Sequence, residues 1–325
     1  MKALVQDRYG APTEVLRLVE DEPMPVPADD DVVVRVHASS ANPWDWHFVR
    51  GEPVLMRPAG IGGVRRPRFR IPGGDVAGTV ERVGPAVRGF APGDAVYGFG
   101  HGAFAERVAV KQGQLAKKPS TLSFEEAAAV PLAAITALQA WRAGGLASGQ
   151  RVLVIGASGG VGTFAVQLAR HEGAHVTGVC SGRHLDLVRE LGADDVIDYT
   201  ASDVTALATR YDVVLQLGGT YSPGALRRLL ADDGVLLQSY GDGNRWTGPL
   251  VNLAWAALLN RFVSQRLTSF VAKEDTATLD SLTALIEAGQ VRPVIDSVVP
   301  LAEAPQAIAL VEHGSPAGKV VVRVD

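Results

Sequence analysis

Apolar segments and turn residues alternate along the chain and divide it into two regions of different character. Residues 2–110 contain short β-prone segments between clusters of Gly, Pro and Asp, a spacing that is typical of an antiparallel, barrel-like unit. These segments are residues 3–5, 15–19, 32–38, 76–83, 95–99 and 104–110. From Ser123 the pattern becomes helical and predicts two helices hinged at Pro131, the first capped by Ser123 with Glu126 three residues later.

Residues 151–171 show a strand, a turn of small residues and a helix in direct succession. Residues 152–156 have the length and branching of a buried strand, and apolar residues recur at helical spacing after the turn. Further strands are predicted at 175–179, 196–197, 212–215, 235–238, 267–271 and 318–324, and further helices at 185–191, 223–230 and 277–288. The alternation of short strands with helices predicts a parallel, doubly wound sheet.

The turn after the strand at 152–156 is a variant of the dinucleotide-binding fingerprint. Its residues are Ala157, Ser158, Gly159, Gly160, Val161 and Gly162. Ala157 permits the tight turn, Gly159 lets the backbone approach a pyrophosphate, and Gly162 lets the helix pack closely on the strand. Free N–H groups at the helix start then hold the phosphates. A plain tight turn is the alternative, but the flanking strand and helix favour a dinucleotide.

The end of the next strand indicates which dinucleotide is bound. A protein that binds NAD usually has an acid there for the ribose hydroxyl, whereas this chain has Cys180. The residues that follow are Ser181, Gly182, Arg183 and His184. A hydroxyl and a guanidinium bind a 2′-phosphate through charge-assisted hydrogen bonds, whereas a carboxylate would repel it. The sequence therefore predicts NADPH rather than NADH, with a solvated polar loop as the alternative.

Composition narrows the classes of partner and compartment. A length of 325 residues favours two domains, and 47% hydrophobic with 20% charged residues is typical of a folded α/β protein. A net charge of −4 gives no general attraction to nucleic acid or acidic membranes, so we expect neither as a partner. Cys180 is the single cysteine, which excludes an intramolecular disulfide and a site built from several thiolates. Without an apolar signal segment or spanning stretch, we expect a cytoplasmic protein.

Separated segments of the chain match the motifs of one enzyme family in that family's order. They are residues 39–52, 73–98, 102–110, 127–141, 156–170, 191–200 and 317–322. In them the chain resembles the zinc-independent medium-chain dehydrogenases/reductases of the quinone oxidoreductase type. The resemblance implies a GroES-like, β-rich catalytic domain formed by residues 1–123 together with 273–325. It also implies a Rossmann domain with a doubly wound parallel sheet at residues 124–272, and an active site in the cleft.

The resemblance implies catalytic roles for residues near position 45. Asn42 and Asp45 are implied to line the nicotinamide pocket. His47 stands where many family members have a tyrosine, and an imidazole there can donate a proton or polarise a carbonyl oxygen. Supply of the proton by water, with His47 in the pocket wall, is the alternative.

Further cofactor contacts follow from the resemblance alone. Thr136 is implied to touch the nicotinamide ribose, Tyr199 to lie near the adenosine phosphate, and Lys319 to add a second cation. The backbone that is implied to carry the nicotinamide ring belongs to Leu217, Gly218, Gly219, Ser239 and Tyr240. Gln216 and Gly218 depart from the Asp and Val that are usual in the family.

The metal-ligand positions of the zinc-dependent relatives are changed in this chain. The positions that match Asn42 and Gly74 are a Cys and a His in those relatives. Asp75 remains, but one carboxylate without partners is a poor zinc site, and a buried, hydrogen-bonded structural role suits it better. We therefore predict no catalytic metal.

These features predict an NADPH-dependent reductase that transfers a hydride to a quinone or to the C=C bond of an α,β-unsaturated carbonyl compound. One alternative is an NADPH-binding or redox-sensing protein with little turnover. Another is a zinc-independent alcohol dehydrogenase or ketone reductase, which is less favoured because a plain ketone needs stronger polarisation. The resemblance also implies a homodimer, paired through an exposed edge strand at 267–271. The arginines of residues 50–70 form either a solvated face or a mouth that attracts an anionic substrate.

Overall fold

A computed structural model describes residues 1–57, 63–239, 245–314 and 316–324. The chain forms two compact units, Met1–Ile135 with Glu274–Asp325 and Thr136–Lys273. The strands are β1 Ala3–Val5, β2 Arg17–Val19, β3 Asp31–Ala41, β4 Asp75–Val83, β5 Ala95–Phe99, β6 Arg107–Lys111, β7 Leu115–Lys117, β8 Arg151–Ile155, β9 His175–Cys180, β10 Asp195–Asp198, β11 Tyr211–Gln216, β12 Leu230–Gln238, β13 Arg266–Ser269, β14 Ile295–Pro300 and β15 Lys319–Arg323. The helices are α1 Pro12–Val15, α2 Pro43–Arg50, α3 Phe124–Ala128, α4 Pro131–Gly144, α5 Gly160–His171, α6 Leu185–Glu190, α7 Pro223–Leu226, α8 Leu250–Leu259, α9 Thr276–Glu287 and α10 Ala304–His313.

The first unit is built on a mostly antiparallel sheet. Its strand order is β14-β15-β3-β4-β5-β7, and β6 pairs with β3. The buried valines of β3, β4 and β6 form one apolar core, which is what the alternating pattern of these strands predicts. The C-terminal strand β15 pairs with the end of β3, with Val320 opposite Ala41. Residues from both ends of the chain therefore build this unit.

The first unit extends to Ile135, beyond the boundary at 123 that the sequence predicts. The segment in question includes α3, whose N-cap Ser123 accepts a hydrogen bond from the Glu126 N–H, as the capping-box pattern predicts. The buried carboxylate of Asp75 accepts a hydrogen bond from the Leu132 N–H at the start of α4. These contacts bind α3 and the first turn of α4 to the strands of the first unit.

The second unit contains a parallel sheet of the doubly wound type. Its strand order is β10-β9-β8-β11-β12-β13, and every neighbouring pair is parallel. The order reverses direction between β8 and β11, which is the position where such sheets bind ligands, outside the carboxyl ends of the strands. The predicted Rossmann fold is therefore observed in this unit.

Several predicted elements differ in their bounds. Residues 15–19 are predicted as one strand, but Pro12 at the first helical position starts α1, and only Arg17–Val19 forms β2. The helix predicted at 223–230 ends at Leu226 and continues as a 3₁₀ turn. The sequence patterns also missed β7, β14, α8 and α10. In the part of the chain that the structure describes, no helix combines the length and apolar character required to span a membrane.

Candidate active site

The glycine-rich turn of the second unit has the geometry of a phosphate-binding loop. α5 begins at Gly160, and Gly159 precedes it in an extended conformation. A Cβ on Gly162 would lie 2.0 Å from the Gly156 carbonyl oxygen, so the close packing of α5 on β8 requires glycine. A Cβ on Gly159 would meet only that same oxygen, at 3.5 Å. Gly159, Gly160 and Val161 are partly exposed, and Ala157, Ser158 and Gly162 are buried. The turn thus offers a helix start that can bind phosphate.

The loop after β11 lies next to this turn. The Leu217 N–H donates to the Ile155 carbonyl oxygen at 2.9 Å. A Cβ on Gly156 would lie 3.5 Å from the Gly218 nitrogen, and Gly219 has a φ of +74°, which favours glycine. Both loops therefore flank the point where the strand order reverses. The prediction assigns the pyrophosphate to the glycine-rich turn and the nicotinamide ring to the loop after β11.

Two buried amides hold the loop after β11. The Gln216 side chain is fully buried; its Nε2 donates to the Gly219 carbonyl oxygen at 3.1 Å, and its Oε1 accepts from Gln238 Nε2 at 2.8 Å. Gln216, which departs from the family pattern, therefore supports the loop without a charge. Gln238 carries no signal in the sequence, because its partner lies on a neighbouring strand.

Ser239, Thr136 and Tyr240 are three further residues that are predicted to contact the cofactor. The Ser239 N–H donates to the Gln216 carbonyl oxygen at 3.0 Å, which puts Ser239 at the carboxyl end of β12. Thr136 lies on α4 and is 7% exposed. Tyr240 lies outside the described residues.

The loop after β9 carries the groups that the sequence assigns to a 2′-phosphate. The Cys180 side chain is buried, and this burial raises the pKa of its thiol. The Ser181 Oγ is buried and has no hydrogen-bond partner among the described residues. Arg183 is exposed, and His184 Nδ1 lies 3.2 Å from Ser158 Oγ, which links this loop to the glycine-rich turn. An unpartnered hydroxyl and an exposed guanidinium fit a group with acceptor oxygens, such as a 2′-phosphate.

Asp198 orders this loop from the neighbouring strand. Its carboxylate accepts hydrogen bonds from the Thr200 hydroxyl and N–H, and from the Gly182 N–H, which together lower its pKa. Tyr199 is 48% exposed, and its N–H donates to the Cys180 carbonyl oxygen at 3.2 Å. Asp198 is not among the residues that the sequence predicts for the site. The signal that would have found it is the parallel pairing of β10 with β9, which puts Asp198 opposite Cys180.

In the first unit, α2 begins with Asn42 as N-cap. Asp45 caps this helix: its Oδ2 accepts from the Asn42 N–H at 2.8 Å, and its Oδ1 accepts from the Gly73 N–H at 3.1 Å. Burial raises the pKa of the Asp45 carboxyl to about 7, although both N–H donors favour the ionised form. The structure gives Asp45 a capping role at the start of α2, and its predicted catalytic role stays a prediction.

His47 lies on α2 with one face of its ring against Trp46, at a centroid distance of 3.5 Å. Its Nδ1 lies 2.9 Å from the Glu52 carbonyl oxygen, and the Glu52 N–H donates back to the His47 carbonyl oxygen. Gly51, with a φ of +62°, makes this turn possible at the helix end. Because a carbonyl only accepts, Nδ1 carries the hydrogen, and the neutral ring has a lone pair at Nε2. His47 therefore donates a proton through Nε2 only as the imidazolium.

The Asn42 side chain belongs to a buried polar cluster with Asp75 and Lys319, none of which is more than 3% exposed. Asn42 Nδ2 donates to Asp75 Oδ2 at 2.8 Å, and Lys319 Nζ donates to Asn42 Oδ1 and to Asp75 Oδ2. Asp75 is thus buried and hydrogen-bonded, as predicted. Lys319 does not have the position predicted from the resemblance: its ammonium group is enclosed and neutralised by Asp75, and is not available to an adenosine phosphate.

Several arginines of residues 50–70 have partners within the first unit. Arg50 forms an ion pair with Glu312, and the Arg57 guanidinium lies 4.2 Å from the centre of the Tyr9 ring. Arg70 pairs with two acidic side chains. These contacts favour a structural face over a mouth for an anionic substrate.

Comparison with known proteins gives the family. Residues 28–120 match the model of the alcohol dehydrogenase GroES-like domain, and residues 191–322 match that of the zinc-binding dehydrogenases. The chain is 35% identical to the mitochondrial NAD(P)H oxidoreductase RTN4IP1 of Mus musculus, over 100% of this chain and 89% of that protein. It is 32% identical to a 2-methylene-furan-3-one reductase of Solanum lycopersicum, over 99% of this chain and 79% of that protein.

A solved structure gives the same result for the fold. The quinone oxidoreductase of Coxiella burnetii superposes with a TM-score of 0.87 at 28% identity, with 100% of this chain and 99% of that chain covered. The GroES-like domain and the Rossmann sheet therefore occur together in a known enzyme architecture. The chain belongs to the medium-chain dehydrogenase/reductase family, among its quinone oxidoreductase-like members.

Proposed function

We propose that this protein is an NADPH-dependent reductase that transfers a hydride to a quinone or to the C=C bond of an α,β-unsaturated carbonyl compound. The observation that carries the proposal is the loop after β9, where Ser181 offers a buried hydroxyl without a partner among the described residues and Arg183 an exposed guanidinium. Both follow a glycine-rich turn at the reversal point of the sheet. This set of groups suits NADPH better than NADH.

The names of the relatives support the substrate class. One relative is named for the reduction of a 2-methylene-furan-3-one, and one structural neighbour is named a quinone oxidoreductase. Both compounds present an electron-poor conjugated carbonyl group. Such a substrate accepts a hydride without the strong polarisation that a plain ketone requires.

The contacts of the individual residues indicate their roles in cofactor binding and proton transfer. A reduced nicotinamide supplies the hydride when it is bound. The start of α5 and Arg183 bind phosphate groups, and the Gln216 amide holds the loop that carries Leu217, Gly218 and Gly219. His47, oriented through Nδ1 by the Glu52 carbonyl, holds a proton at Nε2 as the imidazolium and gives it to the oxygen or carbon that becomes negative.

The function is tested by stopped-flow oxidation of bound NADPH, and of bound NADH, with one quinone and one 2-enone. We expect NADPH to be oxidised by at least one acceptor. In Arg183→Ala we expect the affinity for NADPH to fall by about 10- to 100-fold, because a hydrogen bond to a charged group contributes about 1.5–3 kcal/mol. The affinity for NADH should not change, because NADH has no 2′-phosphate.

Arg189→Ala is the matched control. Arg189 is an exposed arginine on α6 that pairs with Asp186 at 2.8 Å, and its loss should leave both affinities unchanged. Equal use of NADPH and NADH by the wild type would contradict the assignment of the Ser181–Arg183 groups. Tight NADPH binding without turnover across quinones, enones and ketones would favour a binding or redox-sensing protein instead.

We further propose that the reaction needs no metal. Asn42 and Asp75 are engaged with the Lys319 ammonium, and a Cβ on Gly74 would lie 2.4 Å from the Phe99 ring, so no ligating side chain fits there. Among the described residues, no group of three or more His, Cys, Asp or Glu side chains could hold a metal ion. We expect dialysis against EDTA and phenanthroline to leave kcat unchanged. Turnover that is lost on chelation and restored by Zn²⁺ would overturn this proposal.

We also propose that the protein is a homodimer and that it is located in the cytoplasm. In the described sheet, β13 pairs only with β12, so its other edge is available for a second copy of the chain. Sedimentation of the purified protein measures the first, and fractionation of its cells of origin measures the second.

A further inference from the structure

We propose that Lys319 is a positioning residue of this reductase: its ammonium group holds the Asn42 side chain and, through it, the first turn of the helix that carries His47. The inference rests on the proposed function, because it assigns His47 the proton transfer. It adds a role for a residue that lies at the start of the C-terminal strand and touches neither a predicted phosphate site nor a predicted proton donor.

The backbone before Lys319 turns this side chain into the interior. Gly318 has a φ of +83°, and a Cβ on it would lie 2.2 Å from the Val294 carbonyl oxygen. The same oxygen accepts the Lys319 N–H at 2.9 Å. Val320 then pairs with Ala41, the last residue of β3 and the residue before Asn42. The Gly-Lys step thus brings an amine to the start of α2.

The ammonium group determines the orientation of the Asn42 amide. An ammonium only donates, so the amide atom that faces Lys319 is the oxygen, and Nδ2 is left to face acceptors. Nδ2 donates to Asp75 Oδ2 at 2.8 Å and to the Ser40 carbonyl oxygen at 3.2 Å. The Asn42 N–H donates to Asp45 Oδ2, and the Asn42 carbonyl oxygen accepts a hydrogen bond from the Asp45 N–H. These contacts fix both the main chain and the side-chain amide of Asn42 in one orientation.

Asp75 makes the charge of Lys319 necessary. Its fully buried carboxylate accepts from the Leu132 N–H at 2.8 Å and from the Ser40 hydroxyl at 2.5 Å. Burial and, as a smaller cause, the charge of Asp75 raise the pKa of Asp45, whereas Lys319 lowers it. Without Lys319, both carboxylates would lose a compensating charge, and the ionised form of Asp45 that caps α2 would be disfavoured.

The test compares Lys319→Met with the double variant Lys319→Met/Asp75→Asn. The single variant leaves a buried charge without compensation, and we expect a lower melting temperature or failure to fold. The double variant contains no buried charge at these two positions, so we expect a melting temperature near that of the wild type. The new amide at position 75, however, can donate to the Asn42 oxygen as well as accept from its nitrogen. The Asn42 amide can therefore adopt either of its two flipped orientations.

For the double variant we expect unchanged affinity for NADPH but a kcat lower by about 10- to 100-fold, as displacement of a reacting group predicts. Its pH profile should lose the limb that depends on the imidazolium. Amide hydrogen exchange of residues 42–50 should be faster than in the wild type, with the exchange of residues 151–171 unchanged. Lys118→Met removes another lysine of the first unit, which donates to the Pro119 carbonyl oxygen, and should change none of these measurements.

The outcomes separate this inference from the proposed function. A double variant with wild-type kcat, pH profile and exchange would overturn the inference, because Lys319 would then only balance the charge of Asp75. If the wild type oxidises NADPH with no quinone or enone, the proposed function fails. Hydrogen exchange of residues 42–50 still decides in that case whether Lys319 holds α2.

Discussion

Replacing Gly162 with alanine is expected to weaken NADPH binding by about 100-fold. The new Cβ would lie 2.0 Å from the Gly156 carbonyl oxygen and 2.8 Å from backbone atoms of Ala157, and none of these can move independently of β8. The first turn of α5 must therefore shift away from the strand. By analogy with the roughly 100-fold loss of rate that a misplacement of about 1 Å causes, we expect the affinity for NADPH to fall by a similar factor, and overpacking to cost about 1–3 kcal/mol of stability. Fluorescence titration with NADPH and thermal unfolding measure the two effects.

Gly159→Ala separates binding from folding. Its Cβ would meet protein only at 3.5 Å, and its φ of −79° suits alanine, so we expect a wild-type melting temperature. The methyl group would occupy the space through which the pyrophosphate approaches the backbone, so the affinity for NADPH should still fall strongly. Gly224→Ala is the control in the same unit, because its Cβ meets only the Trp255 ring nitrogen at 3.5 Å. NADPH binding by Gly159→Ala with wild-type affinity would show that this turn does not face the cofactor.

The cofactor loops were predictable because their signals are local. The strand, the small-residue turn and the helix follow one another within 151–171, and the prediction of 175–179 agrees with β9, which is His175–Cys180. Parallel order then brings the ends of β8 and β11 together without further information.

The prediction of a strand at 104–110 is wrong at its start. The Phe104 carbonyl oxygen accepts a hydrogen bond from the Leu4 N–H, so the start of this segment contacts β1, and the strand that pairs with β3 is Arg107–Lys111.

The buried cluster of the first unit was not predictable from sequence spacing. Lys319 and Asn42 are 277 residues apart, and no periodic pattern records a contact of that range. A lysine in a terminal strand is normally solvated, so the pattern gives no reason to expect it inside. Asp45 has a local signal, since an acid three residues after an N-cap is a capping pattern. That pattern predicts a capping role for Asp45, whereas the family resemblance implies a place in the nicotinamide pocket.

The largest expected effect on turnover comes from His47. In His47→Gln we expect kcat for quinone or enone reduction to fall by about 100-fold or more, which is the usual contribution of a positioned general acid. The affinity for NADPH should stay the same, because the loops that are predicted to bind its phosphates belong to the second unit. Since Nδ1–H is donated to the Glu52 carbonyl, only the imidazolium carries a proton at Nε2. In the wild type, kcat should therefore be highest at low pH and fall as rising pH removes that proton, whereas the variant should show no such fall.

His171→Gln is the matched control for this experiment. His171 ends α5 on an exposed surface, so its replacement should change neither kcat nor the pH profile. The result that contradicts the assignment is equally specific. If water supplies the proton, His47→Gln keeps the wild-type kcat, and the fall of kcat with pH is either absent from both proteins or present in both. A solvent deuterium isotope effect on kcat that disappears in His47→Gln would connect the imidazolium proton directly to the rate-limiting step, because glutamine at this position has no acidic proton to transfer.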